Sequence, residues 1–265
     1  MIPLLPRLGR TGLYIVWALM PCLSACDPAP SGSGSPPVAS SPIPHDGVGP
    51  RLGEDVTMQP RLVREPARED VPKIVAFGDS LTAGAGIPAE ESFPAQLQRR
   101  LDQNGYRYRV INAGVSGDTT AGGLRRVEWV LRSRPRLAIL ELGANDGLRG
   151  LPLDQIQHNL DQIIRRLHAA GVTIILAGMK LPLNYGNDYR AGFEAVYEKL
   201  AQAHRVTLMP FFLEGVGGNA SLNQGDGLHP TREGYRVIVE HLWPVLKPLL
   251  DHPSGSSLDA STVNQ

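Results

Sequence analysis

The chain has 265 residues, 42% of them hydrophobic, which is ample for a packed core and leaves room for one large domain or two small ones. Its 26 Lys and Arg balance 26 Asp and Glu, so the formal net charge is zero and there is no broad basic face of the kind nucleic-acid binding needs; nucleic acid is not expected as a partner. The two cysteines, Cys22 and Cys26, sit close together near the amino terminus, which leaves a folded body behind them without a structural disulfide, a cysteine nucleophile or a cysteine-ligated metal.

In chain order, Arg7 and Arg10 precede an apolar run over residues 13–23 that is too short for an ordinary transmembrane helix. Residues 1–25 therefore read as a secretory signal. Its end, Leu23-Ser24-Ala25-Cys26, resembles the lipobox of bacterial lipoproteins, in which cleavage leaves a lipidated amino-terminal cysteine; Cys26 is then the expected lipidation site. A plain signal peptide with a chance cysteine is the alternative. Asp27, directly after it, resembles the inner-membrane retention signal of some Gram-negative lipoproteins, and which membrane is used stays open. Residues 27–70 are dominated by Pro, Ser, Gly and charges with no apolar periodicity. Such a tether of about 45 residues has a root-mean-square reach of roughly 35 to 40 Å.

From residue 71 short β-branched runs alternate with longer amphipathic segments, the pattern of repeated βα units on a parallel sheet. Strands are predicted at 73–78, 108–113, 137–142, 172–177 and 206–211. Helices are predicted at 93–101 after Ser92 as N-cap, at 124–132, at 153–170 closed by Gly171, and at 189–204. A last helix over 231–250 follows Pro230, with Pro244 and Pro248 expected to bend or shorten its end. The folded body is thus expected over 71–251, with a disordered tail over 252–265.

In open parallel sheets, ligands bind beyond the carboxyl ends of the strands. Every chemically suggestive segment falls in such a loop: Gly78-Asp79-Ser80-Leu81, Gly114 to Thr119, Gly143-Ala144-Asn145-Asp146-Gly147 and Asp226-Gly227-Leu228-His229-Pro230. Ser80 follows a strand end, where a sharp turn exposes a hydroxyl and points its N–H into the same space. The Gly-x-Ser-x-Gly elbow of α/β-hydrolases is absent, and for Ser80 alone a capping or turn role competes. A serine hydroxyl needs a base, and the base an orienting group. His229 and Asp226, three apart on a turn, fit that need; the alternatives are a helix-capping Asp beside a surface His, or a two-ligand metal contact with no third ligand evident. Asn145, flanked by Gly143 and Gly147, offers an amide to an oxyanion alongside backbone N–H groups of Ser80 and Gly117, or is simply a turn former.

Together the blocks resemble the SGNH (GDSL) hydrolase family, and about residues 73–249 are similar to its thioesterase I/arylesterase branch. The matching segments are Gly78-Asp79-Ser80-Leu81-Thr82-Ala83-Gly84, Ser116-Gly117-Asp118-Thr119, the run from Leu142 to Gly150, Leu181-Pro182-Leu183-Asn184-Tyr185-Gly186 and Asp226-Gly227-Leu228-His229-Pro230. The resemblance implies a three-layer flavodoxin-like α/β fold without cofactor. It implies Ser80 as nucleophile, Asp226 and His229 completing the triad, and Ser80, Gly117 and Asn145 as the oxyanion hole. It further implies hydrolysis of acyl esters, thioesters or lysophospholipids. A carbohydrate O-deacetylase or a non-catalytic binding module on the same scaffold are the rival functions. Leu148, Leu151, Leu181, Leu183 and Tyr185 are candidates to line an acyl-chain groove or only to seal the top of the domain.

Overall fold

The computed structural model describes residues 71–251. The signal segment, Cys26, the tether and the tail over 252–265 lie outside the described residues.

Five parallel strands form one sheet: β1 (Lys73–Gly78), β2 (Arg109–Gly114), β3 (Leu137–Glu141), β4 (Thr173–Ala177) and β5 (Thr207–Met209), in the order β2-β1-β3-β4-β5. The register runs from Lys73 opposite Arg109 to Gly78 opposite Gly114, and places Gly78 beside Glu141 on the other side. The three inner strands read as unbroken apolar runs because both of their faces are covered; Ile74, Phe77, Ile139, Leu140, Ile175 and Leu176 are fully buried. Each such side chain contributes about 1.5–3 kcal/mol relative to an exposed one.

Between the strands lie α1 (Ser80–Ala83), α2 (Phe93–Gln103), α3 (Thr120–Leu131), α4 (Ala144–Leu148), α5 (Leu153–Ala169) and α6 (Asn187–His204), and α7 (Arg232–Asp251) follows β5. Helix α3 packs on α5 and α5 on α6, while α2 packs against α7, so two helical layers enclose the sheet. In α5 the buried Ile156, Leu160, Ile163, Ile164 and Leu167 recur at helical spacing and form the face turned to the core. The expected three-layer α/β architecture with a five-stranded parallel sheet is what the chain adopts.

Several boundaries differ from expectation, each for a local reason. Helix α3 starts at Thr120, four residues before the predicted start, because Gly122 and Gly123 are packing residues here and not breakers. A Cβ on Gly123 would lie 2.3 Å from Leu142 Cδ1, and the Thr119 hydroxyl accepts from the Gly122 N–H at 3.2 Å. Strand β5 is only Thr207–Met209; the chain leaves the sheet at Pro210, which has no N–H to donate. Ser92 stands at the N-cap of α2 without a side-chain cap bond, its hydroxyl donating instead to Ala89 O. Helix α7 is not shortened by Pro244 and Pro248 but continues to Asp251. The stripe Ile238, Leu242, Leu246 and Leu250 stays buried through both prolines.

Candidate active site

The strand order reverses at β1: one connection leads to β2 on one side, the next to β3 on the other. Loops beyond the carboxyl ends of β1 and β3 diverge there and leave a crevice. Ser80 lies at the end of β1 and Asn145 at the end of β3.

Ser80 is the first residue of α1 and not part of a loop, so its N–H has no acceptor within its own helix. Asp79 caps that helix: its Oδ1 accepts the Leu81 N–H at 3.0 Å. The strand-to-helix turn is possible only because Gly78 has no side chain; a Cβ there would lie 2.0 Å from Thr82 Oγ1 and 2.4 Å from Glu141 Oε2.

His229 arrives from the irregular segment between β5 and α7. An antiparallel bridge between Asn223 and Pro230 and the bond from Gln224 N–H to His229 O, 2.8 Å, close this segment on itself. Gln224 Nε2 donates to Ala85 O at 2.8 Å, pinning the segment to the chain just behind Ser80. His229 Nε2 stands 2.9 Å from Ser80 Oγ, and its Nδ1 stands 2.6 Å from Asp226 Oδ2. The other oxygen, Asp226 Oδ1, accepts the backbone N–H groups of Leu228 at 2.9 Å and His229 at 3.0 Å. These bonds, the His229 N–H foremost and the His229 ring next, hold the Asp226 carboxyl well below the usual carboxylate range. The Asp226 carboxylate accepts from Nδ1–H, which leaves Nε2 with its lone pair toward the Ser80 hydroxyl.

Asn145 is the second residue of the short helix α4, where a loop is the sequence expectation; the N-cap of that helix is Gly143, at φ +115°. A Cβ on Gly143 would lie 2.3 Å from Tyr197 Oη, so glycine is required by space as well as by backbone conformation. Asn145 Nδ2 donates to Asp79 Oδ2 and to Asp118 O, both at 2.9 Å. Two carbonyl-type acceptors fix which end of the amide is nitrogen. Gly117, at φ +77°, forms the facing wall, and both residues border the same cavity as Ser80 and His229.

Residues that sequence reasoning passed over hold this arrangement. Arg126 of α3 pairs with Asp118 at 2.7 Å, donates to Ala113 O and Gly78 O, and lies over the Phe77 ring at 4.6 Å. One guanidinium therefore ties the ends of β1 and β2 to the Gly117 loop. Asp146 accepts from the Thr120 N–H at 2.9 Å and its hydroxyl at 2.6 Å, tying α4 to α3. Asp79 is 1% exposed; burial is the first cause that pushes its carboxyl up to about 6, against the lowering effect of its bonds from Leu81 and Asn145.

The cavity has a volume of about 610 Å³. Leu148 and Leu181 line it as expected, joined by Met179, Pro182, Phe211, Leu213 and Leu228. Leu151, Leu183 and Tyr185 do not: Leu183 is 80% exposed, and the Tyr185 hydroxyl donates to Leu148 O at 2.8 Å, bracing the wall from behind. The arrangement unites a base-coupled hydroxyl, a potential oxyanion pocket and an apolar recess, which is suited to acyl transfer. Among the described residues no group of three or more His, Cys, Asp or Glu side chains is placed to hold a metal ion, and no helix is long and apolar enough to cross a membrane.

Residues 76–237 match the GDSL-like Lipase/Acylhydrolase family. Over 178 residues the chain is 44% identical to the esterase TesA of Pseudomonas aeruginosa, covering 67% of this chain and 89% of that protein. Over 182 residues it is 39% identical to thioesterase 1/protease 1/lysophospholipase L1 of Escherichia coli, covering 68% of this chain and 86% of that one. A solved crystal structure of TesA superposes with a TM-score of 0.65, covering 67% of this chain and 99% of its own at 44% identity.

Proposed function

As the chain belongs to the GDSL-like lipase/acylhydrolase family and is an ester-hydrolysing serine hydrolase, we propose that its hydrolysis runs through Ser80, His229 and Asp226 by way of an acyl-enzyme. The observation that carries the assignment is the chain of contacts from Ser80 Oγ to His229 Nε2 at 2.9 Å and from Nδ1 to Asp226 at 2.6 Å. Ser80 Oγ attacks the acyl carbon while His229 Nε2 takes its proton, and Asp226 stabilises the resulting imidazolium. Charge collects on the carbonyl oxygen, where the N–H groups of Ser80 and Gly117 and the Asn145 amide receive it. Both Asn145 hydrogens are engaged without substrate, so its service to the oxyanion exchanges one of those bonds. The tetrahedral intermediate collapses, His229 protonates the departing alcohol or thiol, and a water activated by the same ring then releases the acid.

For the natural substrate we favour lysophospholipids and other esters of extended acyl chains. The apolar recess supports this: a cavity of about 610 Å³ walled by Leu148, Met179, Leu181, Phe211 and Leu213 is far larger than an acetyl group requires. The export proposed below from the Leu23-Ser24-Ala25-Cys26 segment agrees with it, because a tethered enzyme outside the cytoplasm would not meet acyl-CoA. The test is a series of p-nitrophenyl esters from acetyl upward, together with lysophospholipids. kcat/KM is expected to rise with chain length over the first several carbons, since each buried CH₂ contributes about 0.8 kcal/mol, close to fourfold. A maximum at acetyl would favour carbohydrate O-deacetylation instead, and the absence of any hydrolysis would favour a binding module.

We also propose that residues 1–25 are removed as a signal, that Cys26 carries a lipid anchor, and that residues 27–70 tether the catalytic domain outside the cytoplasm of a bacterium. The Leu23-Ser24-Ala25-Cys26 segment and the Pro/Ser/Gly-rich stretch behind it support this. Cys26→Ala should move the protein from the membrane to the soluble fraction with hydrolysis of soluble esters unchanged. Continued detergent-requiring membrane association of that variant would contradict the anchor.

A further inference from the structure

Glu141 ends β3 fully buried, beside the turn that carries Ser80. Its Oε2 accepts the Thr82 hydroxyl at 2.7 Å and the Asp79 N–H at 3.3 Å, so a single carboxyl oxygen holds both ends of the Asp79–Thr82 turn. Its Oε1 is buried and has no hydrogen-bond partner. The groups facing it are acidic or neutral: the Asp79 carboxyl from the β1–α1 turn, Thr82 from α1, and the phenols of Tyr197 from α6 and Tyr235 from α7. No ion pair reaches it among the described residues. Glu141 does not border the cavity and takes no part in the acyl-transfer steps.

We propose that Glu141 is a positioning residue, held as the uncharged acid, which fixes the nucleophile turn and leaves Asp79 as the charged partner of Asn145. A carboxylate in this place would be sealed from water with one oxygen unpaired and no countercharge, the costliest way to bury such a group. As the acid, it keeps Oε2 as an acceptor for Thr82 and Asp79, and its proton on Oε1 forms an unpaired but neutral O–H, a smaller cost than an unpaired buried charge. Two carboxyl groups this close do not both ionise readily. The direction of each is set by its surroundings: burial first and the Asp79 charge second push Glu141 well above the usual range, while Asp79 reaches only about 6. Asp79 has the Asn145 amide and the Leu81 N–H to hold an anion while Glu141 Oε1 has no donor, so Asp79 is the member of the pair that ionises, and its carboxylate accepts from Asn145 and Leu81 at neutral pH. When alkali finally removes the Glu141 proton, a second negative charge lies against Asp79 and the turn under Ser80 is pushed apart.

The inference rests on Ser80 being the nucleophile, and its experiment includes a readout independent of catalysis. kcat and KM of the full chain and of Glu141→Gln are measured across pH on a soluble p-nitrophenyl ester. Infrared difference spectra at about pH 8 follow the carbonyl band of a protonated carboxyl, where an ordinary glutamate is fully ionised. Glutamine matches the neutral acid in shape and offers the same acceptor oxygen, so kcat at neutral pH should stay within about threefold of the parent. The parent should lose kcat in alkali with KM little changed, and Glu141→Gln should not. The band should be present in the parent and absent from the variant. A drop of about tenfold or more in the variant at neutral pH, failure of the variant to fold, an unchanged alkaline loss, or no band in the parent would each overturn the proposal. If Ser80 were not the nucleophile, the band would persist while Ser80→Ala remained active, so the two failures are distinct.

Discussion

Ser80→Ala is expected to abolish nearly all turnover, with kcat falling on the order of 10⁶-fold, as when the nucleophile of other Ser-His-Asp hydrolases is removed. The size of the effect follows from the geometry. Ser80 Oγ is the hydroxyl placed 2.9 Å from His229 Nε2, and that ring is held by Asp226 at 2.6 Å. Without the hydroxyl there is no acyl-enzyme, and the slow reaction left over is direct attack by water assisted by the oxyanion donors and by substrate binding. His229→Ala should cost about as much, and the double variant little more than either single one, because the residues act as one unit. KM on a soluble ester should change little in each, since the apolar walls of the cavity are untouched. Multiplicative losses in the double variant would mean that the two side chains act independently, which the coupled distances forbid.

Much of this site could be read from the sequence because its parts are local. Asp226 and His229 are three residues apart, Gly143 and Gly147 bracket Asn145, and Ser80 follows an unmistakable buried strand, so short windows contain the chemistry. The sheet was legible for the same reason: inner parallel strands are continuous apolar runs. What escaped was decided by distant contacts. Arg126 looks like any basic residue on an amphipathic helix, yet it reaches Gly78 O across 48 positions of sequence. Met179, Phe211 and Leu213 sit in irregular segments without periodicity, and only the closing of the chain brings them to the cavity. Leu183 had the right character and the wrong direction. Glu141 left one signal: an acid ending the otherwise apolar strand Leu-Ala-Ile-Leu-Glu, which marks a buried carboxyl awaiting a partner.

Asn145→Ala is the second large effect, expected on kcat and not on KM. Charge reaches the carbonyl oxygen only as Ser80 attacks, so a donor that exchanges one of its present bonds for that oxygen contributes mainly in the transition state. Loss of such a donor lowers kcat about 10²- to 10³-fold, or roughly 3 to 4 kcal/mol. Here the amide also bridges Asp79 and Asp118, so part of the loss reflects a loosened Gly117 wall and an Asp79 carboxylate left one donor short. Thermal unfolding of the variant separates the two contributions: a small change in Tm with the full loss of kcat assigns the effect to the oxyanion. Near-normal kcat with a raised KM in a folded variant would make Asn145 a binding or turn residue.

The most direct test of Ser80 as the attacking group is covalent. A p-nitrophenyl alkylphosphonate places a tetrahedral phosphorus where the acyl carbon would be attacked, and the serine oxygen displaces p-nitrophenol to leave a stable phosphonyl ester. Mass spectrometry of the inactivated full chain should find one phosphonyl group per molecule, on the peptide containing Ser80, with inactivation and labelling proceeding in step and both absent from Ser80→Ala. Stoichiometric labelling at another residue, or complete inactivation of Ser80→Ala by the same reagent, would contradict the assignment.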